Sequence, residues 1–320
     1  MDKLREGKRV FDIEIDALAK TRDALDENFI IILDMITSCK GKLVITGIGK
    51  PGHIATKLAA TFASLGTPSF YLHPGEAMHG DLGMISADDI VLAISYSGES
   101  DEIVRILPNI KMIGARLVGI TANQQSTLAK MSDMVQILPK FEEACYLGLA
   151  PTSSTTVELC YGDALAVVAS AVYGFDNADF GKFHPAGALG KKLILKVEDL
   201  MAQGDKNAVI AIESSMKDAI IELSKKGLGS VTVIDEEEKL LGIITDGDLR
   251  RQLEKGVDVY SLSVNEIMTK YPTVIEGEKL AVEALRKLKE RNLSCMPVLN
   301  GGRVVGTIRL QDIIGVGIVL

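Results

Sequence analysis

Five short runs of apolar residues, separated by stretches with helical spacing, constrain the fold of this chain more than any other feature. The runs occupy residues 43–46, 69–72, 90–94, 117–121 and 134–138. Continuous apolar runs of this length are typical of parallel strands buried on both faces, and alternation with helices produces right-handed crossovers. We therefore predict an α/β fold with a doubly wound, parallel, five-stranded sheet, preceded by two helices between residues 5 and 40.

Two of the runs end in loops of small residues. Residues 47–53 (GIGKPGH) follow the first run, and residues 95–100 (SYSGES) follow the third. Ligands bind α/β sheets outside the carboxyl ends of the strands, where glycine admits a close backbone approach and a helix N-terminus favours an anion. Serine hydroxyls add hydrogen-bond donors. The two loops therefore predict a binding site for a phosphorylated small molecule.

The first loop also matches the dinucleotide fingerprint G-x-G-x-x-G. The match is incomplete, because the next strand ends at His73, where the fingerprint has an acidic residue that binds the ribose hydroxyls. A tight turn between strand and helix explains the same glycines. A dinucleotide-dependent enzyme is therefore one alternative function, which the addition of NAD(H) would test by absorbance or fluorescence.

Charge and cysteine content exclude several classes of protein. The 320 residues carry a formal net charge of -8, whereas a nucleic-acid or anionic-membrane surface needs a basic patch. The four cysteines show neither metal-ligand spacing nor a disulfide framework, which fits a reducing compartment. Residues 1–6 lack a signal core, and the apolar stretch 164–172 is shorter than the ~20 residues that span a bilayer. We expect a soluble cytoplasmic protein that binds neither nucleic acid nor membrane.

A repeat begins after about residue 194. Residues 197–201 (VEDLM) recur as 264–268 (VNEIM), and residues 242–249 (GIITDGDL) recur as 306–313 (GTIRLQDI). Each copy is too small to bury a core of its own, so the two copies should pack against each other as a paired α+β module. We predict three domains, at residues 1–194, 195–256 and 263–320.

Histidines and carboxylates near the loops are candidates for acid–base chemistry. All four histidines lie within residues 53–184, and His79 and His184 stand beside Gly/Pro loops. Glu102 falls on the first turn of the helix that follows the serine loop, and Glu143 falls in a segment that must cross the carboxyl edge of the sheet. Either glutamate can serve as a general base, and a solvated helix face is the alternative for both.

Five motifs in order resemble the D-arabinose 5-phosphate isomerase family, in which a sugar-isomerase (SIS) domain precedes two CBS repeats. The motifs are residues 47–53, 73–83, 95–100, 147–155 and 184–190, and the resemblance covers essentially the whole chain. It implies interconversion of ribulose 5-phosphate and arabinose 5-phosphate, which feeds synthesis of 3-deoxy-D-manno-octulosonate for lipopolysaccharide or capsule. It also implies a homo-oligomer, most simply a tetramer, whose partner is a small sugar phosphate.

The resemblance further implies which residues act in the site. Its catalytic residues fall on Lys50, Glu102, Glu143 and His184. Its substrate contacts fall on Gly49, Gly66, Thr67, His73, His79, Ser95, Ser97, Ser100, Thr152, Ser153 and Ser154. Members of the family bind an inhibitory zinc at the position of His73, which no ligand spacing in this sequence suggests. Pro51 and Ala186 depart from the family pattern, and both departures bear on substrate preference.

The chemistry of an aldose–ketose pair assigns roles to these residues. One base must remove a proton from the carbon beside the carbonyl, and a donor or cation must stabilise the enediolate. We assign the base to Glu143, with Glu102 as the alternative. His184 would move protons on the hydroxyl or ring oxygen, and Lys50 would stabilise the developing charge. This scheme requires no metal or organic cofactor.

The repeats have a ligand signature of their own. In CBS domains a G-h-h-[ST]-x-x-D motif holds a nucleotide, and Thr245 with Asp248 satisfies it in the first copy. Arg309 replaces the hydroxyl residue in the second copy and leaves only Asp312. A structural or oligomerising module is the alternative. For the whole chain, a non-catalytic sugar-phosphate-sensing regulator is the alternative, because SIS domains serve both roles.

Overall fold

The computed structural model describes residues 1–184 and 188–320, which form two compact units. The first unit spans residues 1–176. Its strands are β1 (Leu43–Thr46), β2 (Ser69–Leu72), β3 (Ile90–Ile94), β4 (Arg116–Thr121) and β5 (Met134–Ile137). Its helices are α1 (Lys3–Asp23), α2 (Glu27–Thr37), α3 (Lys50–Ser64), α4 (Pro74–Ala77), α5 (Asp101–Ile113), α6 (Thr127–Met131) and α7 (Ser153–Val172).

The predicted parallel sheet is confirmed, with strand order β2-β1-β3-β4-β5. Thr46 pairs with Leu72 on one side and with Ala93 on the other, so β1, β2 and β3 end at the same edge. The chain leaves β1 toward β2 and returns to β3 on the opposite side. The order therefore reverses beside β1, and a doubly wound sheet opens its ligand crevice at such a switch point.

Helices cover both faces of the sheet. Ile45 points to the face packed by α1, α2, α3 and α7, and Val44 points to the face packed by α5. All four residues of β1 and all five of β3 are buried. The continuous apolar pattern of these strands follows directly from this two-sided burial.

Helix α7 is longer than the apolar stretch at residues 164–172 suggests. It has 20 residues and, by length and composition alone, qualifies as a helix that could cross a membrane. Its inner face belongs to the core of the first unit, where Val157, Tyr161 and Leu165 are buried together with residues of α1, α2 and α3. α7 is thus a core helix within this unit.

The second unit spans residues 177–320. Its helices are α8 (Asn177–Phe183), α9 (Ala188–Ile194), α10 (Val197–Leu200), α11 (Met216–Lys226), α12 (Asp246–Glu254), α13 (Val264–Ile267), α14 (Ala281–Glu290) and α15 (Leu310–Gly315). Its strands are β6 (Ala202–Gln203), β7 (Val209–Ala211), β8 (Ser230–Ile234), β9 (Leu240–Thr245), β10 (Thr269–Lys270), β11 (Ile275–Glu276), β12 (Cys295–Asn300) and β13 (Arg303–Arg309).

The helices α8 and α9, which precede the repeats, belong to the second compact unit. α8 and α9 pack on each other, α9 also contacts α14, and Lys191 Nζ donates a hydrogen bond to the Val316 carbonyl at 3.2 Å. The compact second unit begins at Asn177 and thus includes these two helices as well as the repeats. The functional division into three domains stays a prediction.

The two repeats exchange edge strands. One sheet has the order β10-β9-β8-β7 and the other β11-β12-β13-β6, so each takes a short strand from the other copy. The exchange is symmetric at the side-chain level. A Cβ on Gly242 would lie 2.7 Å from Met268 Sδ, and one on Gly306 would lie 2.6 Å from Met201 Sδ. The predicted mutual packing of the repeats is confirmed in this form.

Candidate active site

The glycines of the first loop serve a close turn between β1 and α3. A Cβ on Gly47 would lie 2.9 Å from the Pro51 carbonyl oxygen, and one on Gly52 would lie 2.8 Å from the Gly47 carbonyl oxygen. Gly49 has φ 63°, in the left-handed region that favours glycine. These constraints explain the fingerprint as a tight turn. They also place Lys50, the first residue of α3, exposed at the carboxyl edge of the sheet.

The serine loop connects β3 to α5 and is tied together by its own hydroxyls. Ser95 Oγ lies 3.0 Å from Ser100 Oγ and accepts a hydrogen bond from the Gly98 backbone N–H at 3.1 Å. Ser100 is the N-cap of α5 without a side-chain capping bond, and Ser97 is exposed. The loop thus presents hydroxyls at the N-terminus of a 13-residue helix, where the dipole favours an anion.

Glu143 is anchored at the N-terminus of α7. Its Oε2 accepts hydrogen bonds from Thr152 N at 2.7 Å, from Thr152 Oγ1 at 3.0 Å and from Ser154 N at 3.3 Å. The next peptide is held as well, since Ala144 N donates to Thr152 Oγ1 at 2.9 Å and the Ala144 carbonyl accepts from Arg9 Nη2 at 3.2 Å. These three hydrogen bonds to Oε2 orient the carboxylate.

These contacts also decide the charge of Glu143. Burial raises the pKa of its carboxyl, but the hydrogen bonds from Ser154 and Thr152 outweigh burial and bring the pKa below its ordinary value. At neutral pH the group is a carboxylate, which is the state that a general base requires.

Glu102 and the two predicted substrate histidines lie near the same edge. Glu102 is half-buried in the first turn of α5, and within residues 1–184 and 188–320 its carboxylate makes no hydrogen bond or ion pair. His73 follows β2 and caps α4, and its Nδ1 accepts from Gly75 N at 3.1 Å. His79 follows α4 and is exposed. Glu99 serves a structural purpose, because its Oε1 accepts from Thr127 N at 2.7 Å at the start of α6.

Gly66 and Thr67 are placed elsewhere. They form the turn between α3 and β2, at the edge where β2 begins, which is opposite to the carboxyl ends of the strands. A Cβ on Gly66 would lie 2.7 Å from the Phe175 ring, so packing explains this glycine. Gly66 and Thr67 therefore lie outside the carboxyl-edge site of the same chain. Their role in substrate binding stays a prediction.

His184 belongs to the second unit and follows α8. Its Nδ1 lies 2.9 Å from the Phe180 carbonyl oxygen, and its ring stacks on the Phe180 ring at 3.9 Å. A carbonyl oxygen only accepts, so Nδ1 carries the proton and Nε2 is left for acid–base exchange. Ala186 lies outside the described residues.

Sequence reasoning missed one titratable group beside this site, Glu158. Its side chain is 0% exposed on α7, one helical turn beyond Ser154, and both carboxyl oxygens lack a hydrogen-bond partner among the described residues. Burial, followed by the charge of Glu143, raises the pKa of Glu158 to about 8. The signal was present in the sequence, because Glu158 is the only charge within the first ten residues of this apolar helix.

The structure shows the surroundings of the predicted zinc ligand, His73, and of the predicted nucleotide-binding residues, Thr245 and Asp248. His73 offers one free imidazole nitrogen, and the described residues contain no group of three or more His, Cys, Asp or Glu able to hold a metal ion. Zinc at His73 stays a prediction. Thr245 and Asp248 line a cleft of about 600 Å³, in which Thr245 Oγ1 donates to Asp248 Oδ2 at 2.6 Å.

The second copy of the nucleotide motif is internally closed. Arg309 Nε donates to Asp312 Oδ2 at 2.8 Å, and Arg309 Nη2 donates to Asp312 Oδ1 at 2.6 Å. Arg309 Nη1 also donates to the Gly227 carbonyl of the first repeat at 3.1 Å. Both oxygens of Asp312 are therefore occupied by the residue that replaces the expected hydroxyl.

Comparison with known proteins agrees with this architecture. An SIS domain model matches residues 35–168, and a CBS domain model matches residues 197–255 and 264–318. Arabinose 5-phosphate isomerase KdsD of Escherichia coli K12 is 44% identical over 318 residues, which cover 99% of this chain and 97% of that protein. The protein of the same name from Pseudomonas aeruginosa is 42% identical over 319 residues, covering 99% and 98%.

A solved structure supports the same family assignment. The c3406 protein of Escherichia coli CFT073, solved in complex with arabinose 5-phosphate, is 45% identical and superposes with a TM-score of 0.56, covering 57% of this chain and 98% of that one. With full-length identity of this degree and the SIS domain followed by two CBS domains, the chain belongs to the arabinose 5-phosphate isomerase family.

Proposed function

We propose that this protein is an aldose–ketose isomerase that interconverts D-ribulose 5-phosphate and D-arabinose 5-phosphate through an enediol. The observation that carries the proposal is the oriented carboxylate of Glu143 at the edge of the sheet that also bears the serine loop. Full-length relatives named arabinose 5-phosphate isomerase support the substrate pair.

The side chains divide the reaction between them. The serine loop binds the phosphate, because hydroxyls and a helix N-terminus favour an anion. Glu143 removes the proton through Oε1, while Oε2 stays fixed on α7. The electron pair of the broken C–H bond moves into the enediol, and the ammonium group of Lys50 stabilises the oxygen that gains charge. Protonation at the neighbouring carbon by the same carboxyl group completes the reaction.

His184 exchanges protons with a substrate oxygen through Nε2, and we place it in the site of a neighbouring subunit. The support is the resemblance to a tetrameric family and the position of His184 after the first compact unit. The protein would then be a homo-oligomer, a tetramer in the simplest case.

Its product would supply 3-deoxy-D-manno-octulosonate synthesis in the cytoplasm. The reaction needs no cofactor, and zinc at His73 would act as an inhibitor.

Measurement of isomerisation tests the assignment of the base. The purified protein, with no added metal, should convert ribulose 5-phosphate to arabinose 5-phosphate. Glu143→Gln should lower kcat by a factor on the order of 10² to 10⁴, the usual value of positioned acid–base catalysis. Collapse of kcat in Glu102→Gln together with near-normal kcat in Glu143→Gln would move the role to Glu102. Tight binding of the sugar phosphate without turnover would favour the sensing regulator.

A further inference from the structure

Glu158 is a second carboxyl group beside the proposed base, and the reaction scheme above does not use it. The first turn of α7 holds Glu143 through Thr152 and Ser154, and Glu158 lies one turn further along the same helix. Its side chain is fully buried, and neither of its oxygens has a partner among the described residues. An unpartnered carboxylate is costly in an apolar core, so the group is a neutral acid that retains its proton.

Among the described residues, the charge that acts on Glu158 is that of another carboxylate and not of a cation. Glu143 and the phenol of Tyr96, which follows β3, are the ionisable groups coupled electrostatically to it. Charged side chains of the packed helices reach the flanks of α7 instead. Glu14 of α1 accepts from Thr156 Oγ1 at 3.0 Å, and Lys57 of α3 pairs with Asp163 at an exposed position.

We propose that Glu158 is a positioning residue for the isomerisation, which holds a proton next to Glu143 and sets the strength of Glu143 as a base. The proposal rests on the proposed function. While Glu158 is neutral, Glu143 carries the only charge of the pair, and its three hydrogen bonds make it a weak base. When Glu158 loses its proton, repulsion favours the movement of negative charge from Glu143 to the substrate. Proton abstraction then becomes faster.

This role of Glu158 can be distinguished from a role in packing, because it operates through the electrostatic effect of Glu158 on Glu143. Glu158 is buried and does not reach the site's surface. Its ionisation should therefore change kcat, which reports on the proton transfer, and leave KM unchanged. A rise of one unit in the basicity of Glu143 corresponds to about a threefold rise in kcat when the proton is half transferred.

The test is the pH dependence of kcat and KM for the full chain from pH 7 to 9.5, above the second ionisation of a phosphate ester near pH 6. The wild type should show about a threefold rise in kcat with a midpoint near 8, the value to which the Glu158 pKa is raised. Glu158→Gln should lack this step. Glu142→Gln, which alters an exposed neighbour, should retain it.

Each other outcome is decisive. Identical steps in the wild type and in Glu158→Gln would overturn the proposal, as would a step confined to KM. If Glu158→Gln does not fold, Glu158→Met, which suits the apolar core and cannot titrate, carries the same comparison. Absence of isomerisation by the wild type at every pH would refute the proposed function itself, whereas isomerisation with identical profiles would refute this proposal alone.

Discussion

Replacement of Glu158 by glutamine should change how the stability of the first unit depends on pH. The pKa of this carboxyl is raised from 4.5 to about 8 in the folded protein. Between these values the unfolded chain loses the proton and the folded chain keeps it, so unfolding releases a proton and stability falls as pH rises. Each unit of pKa difference is worth about 1.4 kcal/mol, so the full span costs the folded state about 5 kcal/mol.

Most of this loss in the free energy of unfolding occurs between pH 5 and pH 8, where unfolding can be measured. From pH 5 to pH 8 the wild type should lose about 3.5 kcal/mol more free energy of unfolding than Glu158→Gln. Urea unfolding followed by circular dichroism at both pH values measures this difference, because the other titrating groups are common to both proteins. Glu142→Gln should behave as the wild type. Equal pH dependence in Glu158→Gln and the wild type would show that Glu158 is ionised in the folded state, and the reasoning from its burial would fail.

Three further results are expected. Thr152→Val removes the hydroxyl that donates to Glu143 and accepts from Ala144 N, so the carboxylate loses part of its positioning. This loss should outweigh the gain in basicity and lower kcat about tenfold, because a misplaced catalytic group is costly. Thr155→Val, whose hydroxyl donates to backbone carbonyls, should leave kcat unchanged, and steady-state kinetics of both variants checks this. Mixed subunits of Lys50→Ala and His184→Ala should regain part of the activity lost in each alone, and no recovery in subunits shown to exchange would place His184 in its own subunit's site. Asp248→Ala should abolish any nucleotide-induced rise in Tm, while Asp312→Ala should leave it intact, because Arg309 stands in the second copy where the first copy has the hydroxyl of Thr245.

The sheet follows from the sequence because its strands are buried on both faces. Residues of β1 and β3 have no exposed side, so their apolar runs have the same bounds in the sequence and in the structure. The carboxyl-edge loops follow as well, since parallel strands in register end together. These properties depend on local pattern and on general topology.

The environment of the carboxylates does not follow in this way. That Thr152 and Ser154 bind Glu143 depends on how the segment after β5 folds back on α7, a tertiary contact without a periodic signal. The place of Glu158 in an apolar helix marks it in the sequence, but its neutral state depends on burial without a partner among the described residues, which only the tertiary structure shows. The start of the second unit at Asn177 likewise depends on packing between α9 and α14.

The exchange of β6 and β10 between the repeats has a consequence for limited proteolysis. The linker at residues 256–263 joins two copies that each complete the other's sheet. A protease that cuts this linker would therefore leave two fragments that stay associated under native conditions and separate only in denaturant. On a native gel the nicked protein would migrate as the intact one does, although the same sample would give two bands after unfolding.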